Sequence, residues 1–256
     1  MVLRSGFMAA LSGCALLVCS LPAHAVPINY GDFIGSTVNF IGVTEDSGTH
    51  TPPLYGAPSV FGDTLDFNPI SFNAGATGAG GVEITDGTLS LMMTSKAGNF
   101  IDKVLFDEAG DVTLAGIGGI GTFASVTANF NVEIQEVDGV GIGSILIAVP
   151  MVFTPSGGTY DLATDAGGGP FYNSAWSGSL MVDLTQALID NNIPYVNGVT
   201  KISVVFDNTL TAISENGTSA FIAKKDVGGV GITVFPEPAS LGLLMLGGAC
   251  LLGRRN

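Results

Sequence analysis

Cysteine is missing from the long middle of this chain: the three present are Cys14, Cys19 and Cys250, so residues 26–238 contain none. That excludes disulfide staples, thiol catalysis and thiolate metal sites there, and a segment of this length can bury enough surface to fold without staples. Arginine is confined to the ends, at Arg4, Arg254 and Arg255, which removes the usual clamp for phosphate. Five lysines, Lys96, Lys103, Lys201, Lys224 and Lys225, stand against twenty-two acids, and the whole chain carries a formal net charge of −14. A surface so acidic repels nucleic-acid backbones, so no nucleic-acid partner is expected. Histidine is equally scarce. Beyond His24 only His50 occurs, alone in a Gly-Thr-His-Thr-Pro-Pro loop without base or zinc-ligand partners near it in sequence.

Catalytic motifs are absent too. There is no Gly-Lys-Ser/Thr loop and no Gly-x-Ser-x-Gly elbow. Two glycine-rich stretches, 116–121 and 139–143, lack a following helical run and read as turns and connectors rather than a nucleotide site. Asp107, Glu108 and Asp111 offer the hard oxygens that calcium takes, but without the Asp-x-Asp-x-Asp-Gly spacing of a calcium loop, so they read as a solvated turn and no cofactor or metal is expected. No catalytic residue is singled out. A carboxylate pair for glycoside cleavage remains the alternative, since the separation of two acids is invisible in sequence.

What is present begins with an address. Arg4 precedes an apolar run from Phe7 to Leu21, then Pro22, then Ala23-His24-Ala25, the small-x-small form that a signal peptidase cleaves after. Residues 1–25 are thus expected to be a signal peptide, helical before removal, and Val26 the mature N-terminus. Leu11-Ser12-Gly13-Cys14 has the local pattern of a lipoprotein site, but the apolar run continues past it.

The middle of the chain alternates. Val126, Ala128, Phe130, Val132 and Ile134 fall on one face and Thr127, Asn129, Asn131, Glu133 and Gln135 on the other, the period of a half-buried strand. Weaker signals of the same kind recur at 37–44, 65–73, 83–95, 104–108, 111–115, 144–153, 175–183, 200–207, 220–224 and 231–235, separated by turn clusters such as Asp86-Gly87, Glu108-Ala109-Gly110-Asp111, Gly157-Gly158 and Gly167-Gly168-Gly169-Pro170. The expected fold is all-β: one antiparallel, jelly-roll-like β-sandwich over residues 26–235. A single short helix is expected at 183–190 with Asp183 as its cap. Tyr160, Phe171, Tyr172 and Trp176 are the aromatics from which a sugar-stacking platform would be built, although Trp176, inside a strand pattern, reads more readily as core.

Residues 236–256 form a tail in three parts. Pro236-Glu237-Pro238 is extended, because its prolines fix φ and withhold amide donors. The run from Ala239 to Gly253 is an apolar stretch and, as a helix, about 22 Å long, short of the roughly 30 Å hydrocarbon core. Arg254 and Arg255 then keep the last residues cytoplasmic. Together and in this order these parts resemble the PEP-CTERM sorting signal of Gram-negative bacteria, which an exosortase reads and which is common in species that make extracellular polysaccharide. The resemblance covers only the tail. It implies that Pro236, Glu237 and Pro238 are the recognised motif, Leu241 to Leu252 the hold in the inner membrane, and Arg254 and Arg255 the cytoplasmic stop; Phe235 and the presence of only two basic residues are mild departures. The expectation is an exported protein held as a membrane precursor, then processed by an exosortase to the envelope or exterior. There a non-catalytic structural or adhesive β domain would meet exopolysaccharide in a matrix or biofilm. The alternative is a secreted carbohydrate-active enzyme.

Overall fold

The computed structural model describes residues 26–117, 120–225 and 230–236. The expected signal peptide with Ala23 and Ala25, and the tail residues Glu237, Pro238, Arg254 and Arg255 with the apolar run before them, lie outside the described residues. Among those described, no helix is long and apolar enough to cross a membrane.

Among the described residues fifteen strands follow one another: β1 (Ile28–Ile34), β2 (Val38–Asp46), β3 (Ser59–Phe61), β4 (Thr64–Phe67), β5 (Asn73–Thr77), β6 (Gly81–Ser95), β7 (Ile101–Gly116), β8 (Phe123–Val137), β9 (Val140–Pro150), β10 (Phe153–Thr154), β11 (Thr159–Asp161), β12 (Phe171–Asp183), β13 (Val199–Ser214), β14 (Thr218–Lys224) and β15 (Val230–Pro236). Every pairing is antiparallel, and hydrogen bonds join all the strands in one sheet that nearly closes like a barrel. One run of it reads β1-β2-β6-β13-β8-β9. The other is built on β7, with β12 along one side and β15 and β14 end to end along the other, backed by β4 and β5. In the backbone ladder β7 and β13 pair with each other at Val199 and Ile101.

Alternation explains the core. β8 turns Val126, Ala128, Phe130, Val132 and Ile134 inward, all buried, as its period-two pattern requires. Phe130 stacks on Phe206 of β13 at 4.1 Å and meets Phe106 of β7 at 4.3 Å, so the two runs bury their inner faces against each other.

Three local readings are corrected. Glu108-Ala109-Gly110-Asp111 is no turn but the middle of β7, continuous for sixteen residues. Asp86-Gly87 likewise lies inside β6, and the stretch 65–73 is split between β4 and β5. Gly87 is needed there because a Cβ would stand 2.5 Å from the Phe72 ring. Among the described residues two α-helices rather than one are present. α2 (Leu184–Asp190) is the expected one, with the Asp183 side chain accepting from the Gln186 amide at 2.8 Å. The other, α1 (Leu162–Asp165), is a single turn capped in the same way by Asp161. Asp183→Ala is expected to lower stability by about 1 kcal/mol, read as a shift in the urea midpoint.

Candidate functional site

The face of the β12–β7–β14–β5 region turned away from the core is lined mostly by small and polar residues, and it carries two exposed aromatic rings. Trp176, Val112, Leu114, Ala220, Ile222, Ala74 and Ala76 point inward and are buried. Their strand neighbours therefore point out. Register sets these neighbours in rows: Phe171 opposite Ala115, which is opposite Ser219; and Asn173 opposite Thr113, which is opposite Phe221, which is opposite Gly75. Phe171 is 58% exposed and Phe221 40%. They flank β7 two residues out of line, so their Cα atoms stand about 12 Å apart from strand spacing and rise. Between them Asn173 Nδ2 donates to Thr113 Oγ1 at 2.8 Å, a polar floor. Gly75 lies under the Phe221 ring, where a Cβ would come to 3.3 Å from Cδ2. Its amide donates to Glu83 Oε2 at 2.6 Å.

A cleft of about 460 Å³ borders this face, lined by Asp111, Thr154, Pro155, Trp176, Ser177 and Lys225 among others. Lys225 Nζ binds Asp111 Oδ2 at 2.6 Å at its rim. Asp111 Oδ1 and Trp176 Nε1 have no hydrogen-bond partner among the described residues. Both atoms are sealed from solvent, so the polar groups the cleft presents are Lys225 Nζ and the hydroxyls of Thr154 and Ser177.

Of the four aromatics named from sequence, only Phe171 is on this face. Trp176 is 2% exposed, in T-shaped contact with Phe153 at 5.6 Å, as a core residue. Tyr160 is buried and stacks at 6.3 Å on the half-buried Tyr172. Burial, with Tyr172 and Asp165 nearby, holds the Tyr160 phenol above its ordinary range. Phe221 and Lys225 were not singled out in sequence, though the alternation of Ala220 and Ile222 marks Phe221 as outward-facing. Asp107, Glu108 and Asp111 do not converge: Glu108 points into the core and the other two outward. Among the described residues no group of three or more His, Cys, Asp or Glu is placed to hold a metal ion. His50 is engaged, its Nε2 3.3 Å from Glu83 Oε1 and its Nδ1 3.0 Å from Thr49 Oγ1.

Two other concavities contain pairs of carboxylates, and each carboxylate already has a structural partner. In the groove between β9 and α2, of about 480 Å³, Asp183 caps α2 and pairs with Lys103 at 3.0 Å, while Asp190 accepts from Gln186 at 2.8 Å. Burial raises the Asp183 carboxyl, but the Gln186 amide and Lys103 outweigh it and hold the group below its usual range. In the second, Asp138 takes the amides of Val196, Asn197 and Gly198, and Glu136 takes Thr200 Oγ1 at 2.7 Å.

No protein-family model matches this chain, and no curated protein matches it. Among solved structures, it is similar to TmCBM61 in complex with β-1,4-galactotriose, at 14% identity over 62% of this chain and 70% of that one, with a TM-score of 0.19. It is also similar to the enzymatically active domain of bacteriophage CBA120 tailspike protein 4, at 12% identity over 64% of this chain and 19% of that one, with a TM-score of 0.16. At such TM-scores neither likeness carries an argument about function.

Proposed function

We propose that this chain is an exported envelope or matrix protein whose β domain, a jelly-roll-like sandwich, binds polysaccharide without cleaving it. The observation that carries the reading is the outer face on which exposed Phe171 and Phe221, their backbone positions about 12 Å apart, flank a polar floor, since exposed ring faces stack on the CH faces of sugar rings. The acidic surface favours a neutral polymer over an anionic one. In affinity electrophoresis against a panel of neutral and acidic polysaccharides, Phe171→Ala and Phe221→Ala are each expected to weaken binding about tenfold, with no change on adding a calcium chelator. Binding by neither polymer class, or variants indistinguishable from wild type, would refute the reading.

The sorting half of the proposal rests on the tail sequence alone. Replacing Pro236-Glu237-Pro238 is expected to leave a full-length, membrane-held precursor, because the apolar run and Arg254-Arg255 remain. Removing residues 241–256 is expected to release the domain. Fractionation with an antibody to the domain reads both, and normal processing of the motif variant would show the tail to be an anchor and no exosortase substrate.

A further inference from the structure

The interior holds a cluster of polar side chains that the proposed binding face does not use. Glu108 from the middle of β7, Asn208 from β13 and Lys224 at the end of β14 meet in the core, exposed by 1%, 0% and 3% respectively. The three close a ring. Lys224 Nζ contacts Glu108 Oε2 and donates to Asn208 Oδ1 at 2.8 Å, and Asn208 Nδ2 donates to Glu108 Oε1 at 2.5 Å. Aromatic rings wall them off from water: Nζ lies 5.1 Å from the centroid of Phe72, 5.5 Å from Trp176 and 5.9 Å from Phe206, and Tyr55 is fully buried beside them.

As an ion pair alone this arrangement would be a poor stabiliser, because desolvating two charges costs about as much as their attraction returns. The geometry fits another purpose. The amine stands 2.8 Å from the side-chain carbonyl oxygen of Asn208, next to the carbon that an addition would reach. One carboxyl touches both the nitrogen that would attack and the nitrogen that would leave. We propose that Lys224 and Asn208 form a self-catalysed amide cross-link between β14 and β13, with Glu108 as the proton carrier.

The step balances without oxidant or cofactor. The neutral Lys224 amine adds through Nζ to Cγ of Asn208, Glu108 takes a proton from Nζ at Oε2 and supplies one to Nδ2 at Oε1, and the Cγ–Nδ2 bond breaks. Ammonia leaves and Glu108 returns to its starting protonation state. Burial favours the reactive forms: it raises the Glu108 carboxyl and lowers the Lys224 amine, each against the pull of the other.

The sequence makes the test simple, because no lysine or arginine lies between Lys201 and Lys224. Asn208 and Lys224 therefore fall on one tryptic peptide. Full-length protein is purified folded, denatured and digested. The cross-link blocks cleavage after Lys224, so the expected product is peptide 202–225, lighter than its sequence mass by one ammonia and silent to fragmentation between residues 208 and 224. Glu108→Gln and Lys224→Met are expected to give the uncross-linked mass with circular dichroism unchanged. A wild-type peptide at its sequence mass overturns the proposal. So does the ammonia loss with a complete fragment series, which marks a succinimide at Asn208. A cross-link that persists in Glu108→Gln removes Glu108 from the chemistry, and if the variants fail to fold, the wild-type peptide alone decides.

Discussion

Phe130→Asp is expected to abolish folding, while Asn129→Asp, one residue earlier, costs less than about 1 kcal/mol. Phe130 is 1% exposed, stacked on Phe206 and against Phe106, at the point where the two runs of the sheet share a core. A carboxylate there has no partner and no water. Even Phe130→Ala should cost about 3–5 kcal/mol, a large share of the roughly 5–15 kcal/mol that holds a domain folded. Asn129 faces solvent opposite Asp207, so a second carboxylate adds only cross-strand repulsion. Urea melts of the three variants read these differences, and equal losses at 129 and 130 would contradict the assignment of faces.

The second large effect is expected at Glu45, a fully buried carboxylate at the end of β2. It accepts the backbone amides of Leu54, Tyr55 at 3.1 Å and Gly56 at 3.3 Å, together with the Tyr30 hydroxyl at 2.6 Å. These contacts pin the segment between β2 and β3, which carries the buried Leu54 and Tyr55 into the core. Burial first and Glu45 second hold the Tyr30 phenol above its usual range. Glu45→Ala orphans several buried donors, each worth about 1–3 kcal/mol when left unpaired. A loss of several kcal/mol is expected in thermal melts, with faster hydrogen exchange at Leu54 to Gly56. A loss below about 1 kcal/mol would show that the segment is held by packing alone.

Strands with a buried and a wet face announced themselves in sequence, and β8 is the clearest because its alternation is unbroken from Val126 to Ile134. The cap of α2 was equally readable, since Asp183 needs only its own helix. Failures came where the reason for a residue lies far along the chain. Glu108 and Gly110 look like turn residues until Asn208 and Lys224 meet the first and the Trp176 indole fills the place of a side chain at the second, where a Cβ would stand 2.3 Å from the ring. β3, three residues long, has no room for a period, and β1, seven residues long, loses its alternation at the register shifts around Gly31. The outer face was half legible. Phe171 was named with three aromatics that turn inward or half inward, because composition lists rings without saying which side of a strand they take.

The last strand deserves a mechanical reading. β15 pairs with β7 from Val230 to Pro236 and with β4 from Val230 to Thr233, lying lengthwise between them. A pull along the axis of that strand strains its rungs in shear and together, rather than peeling them open one after another. Tension of that kind is borne by the middle of the fold before any edge of it can fray.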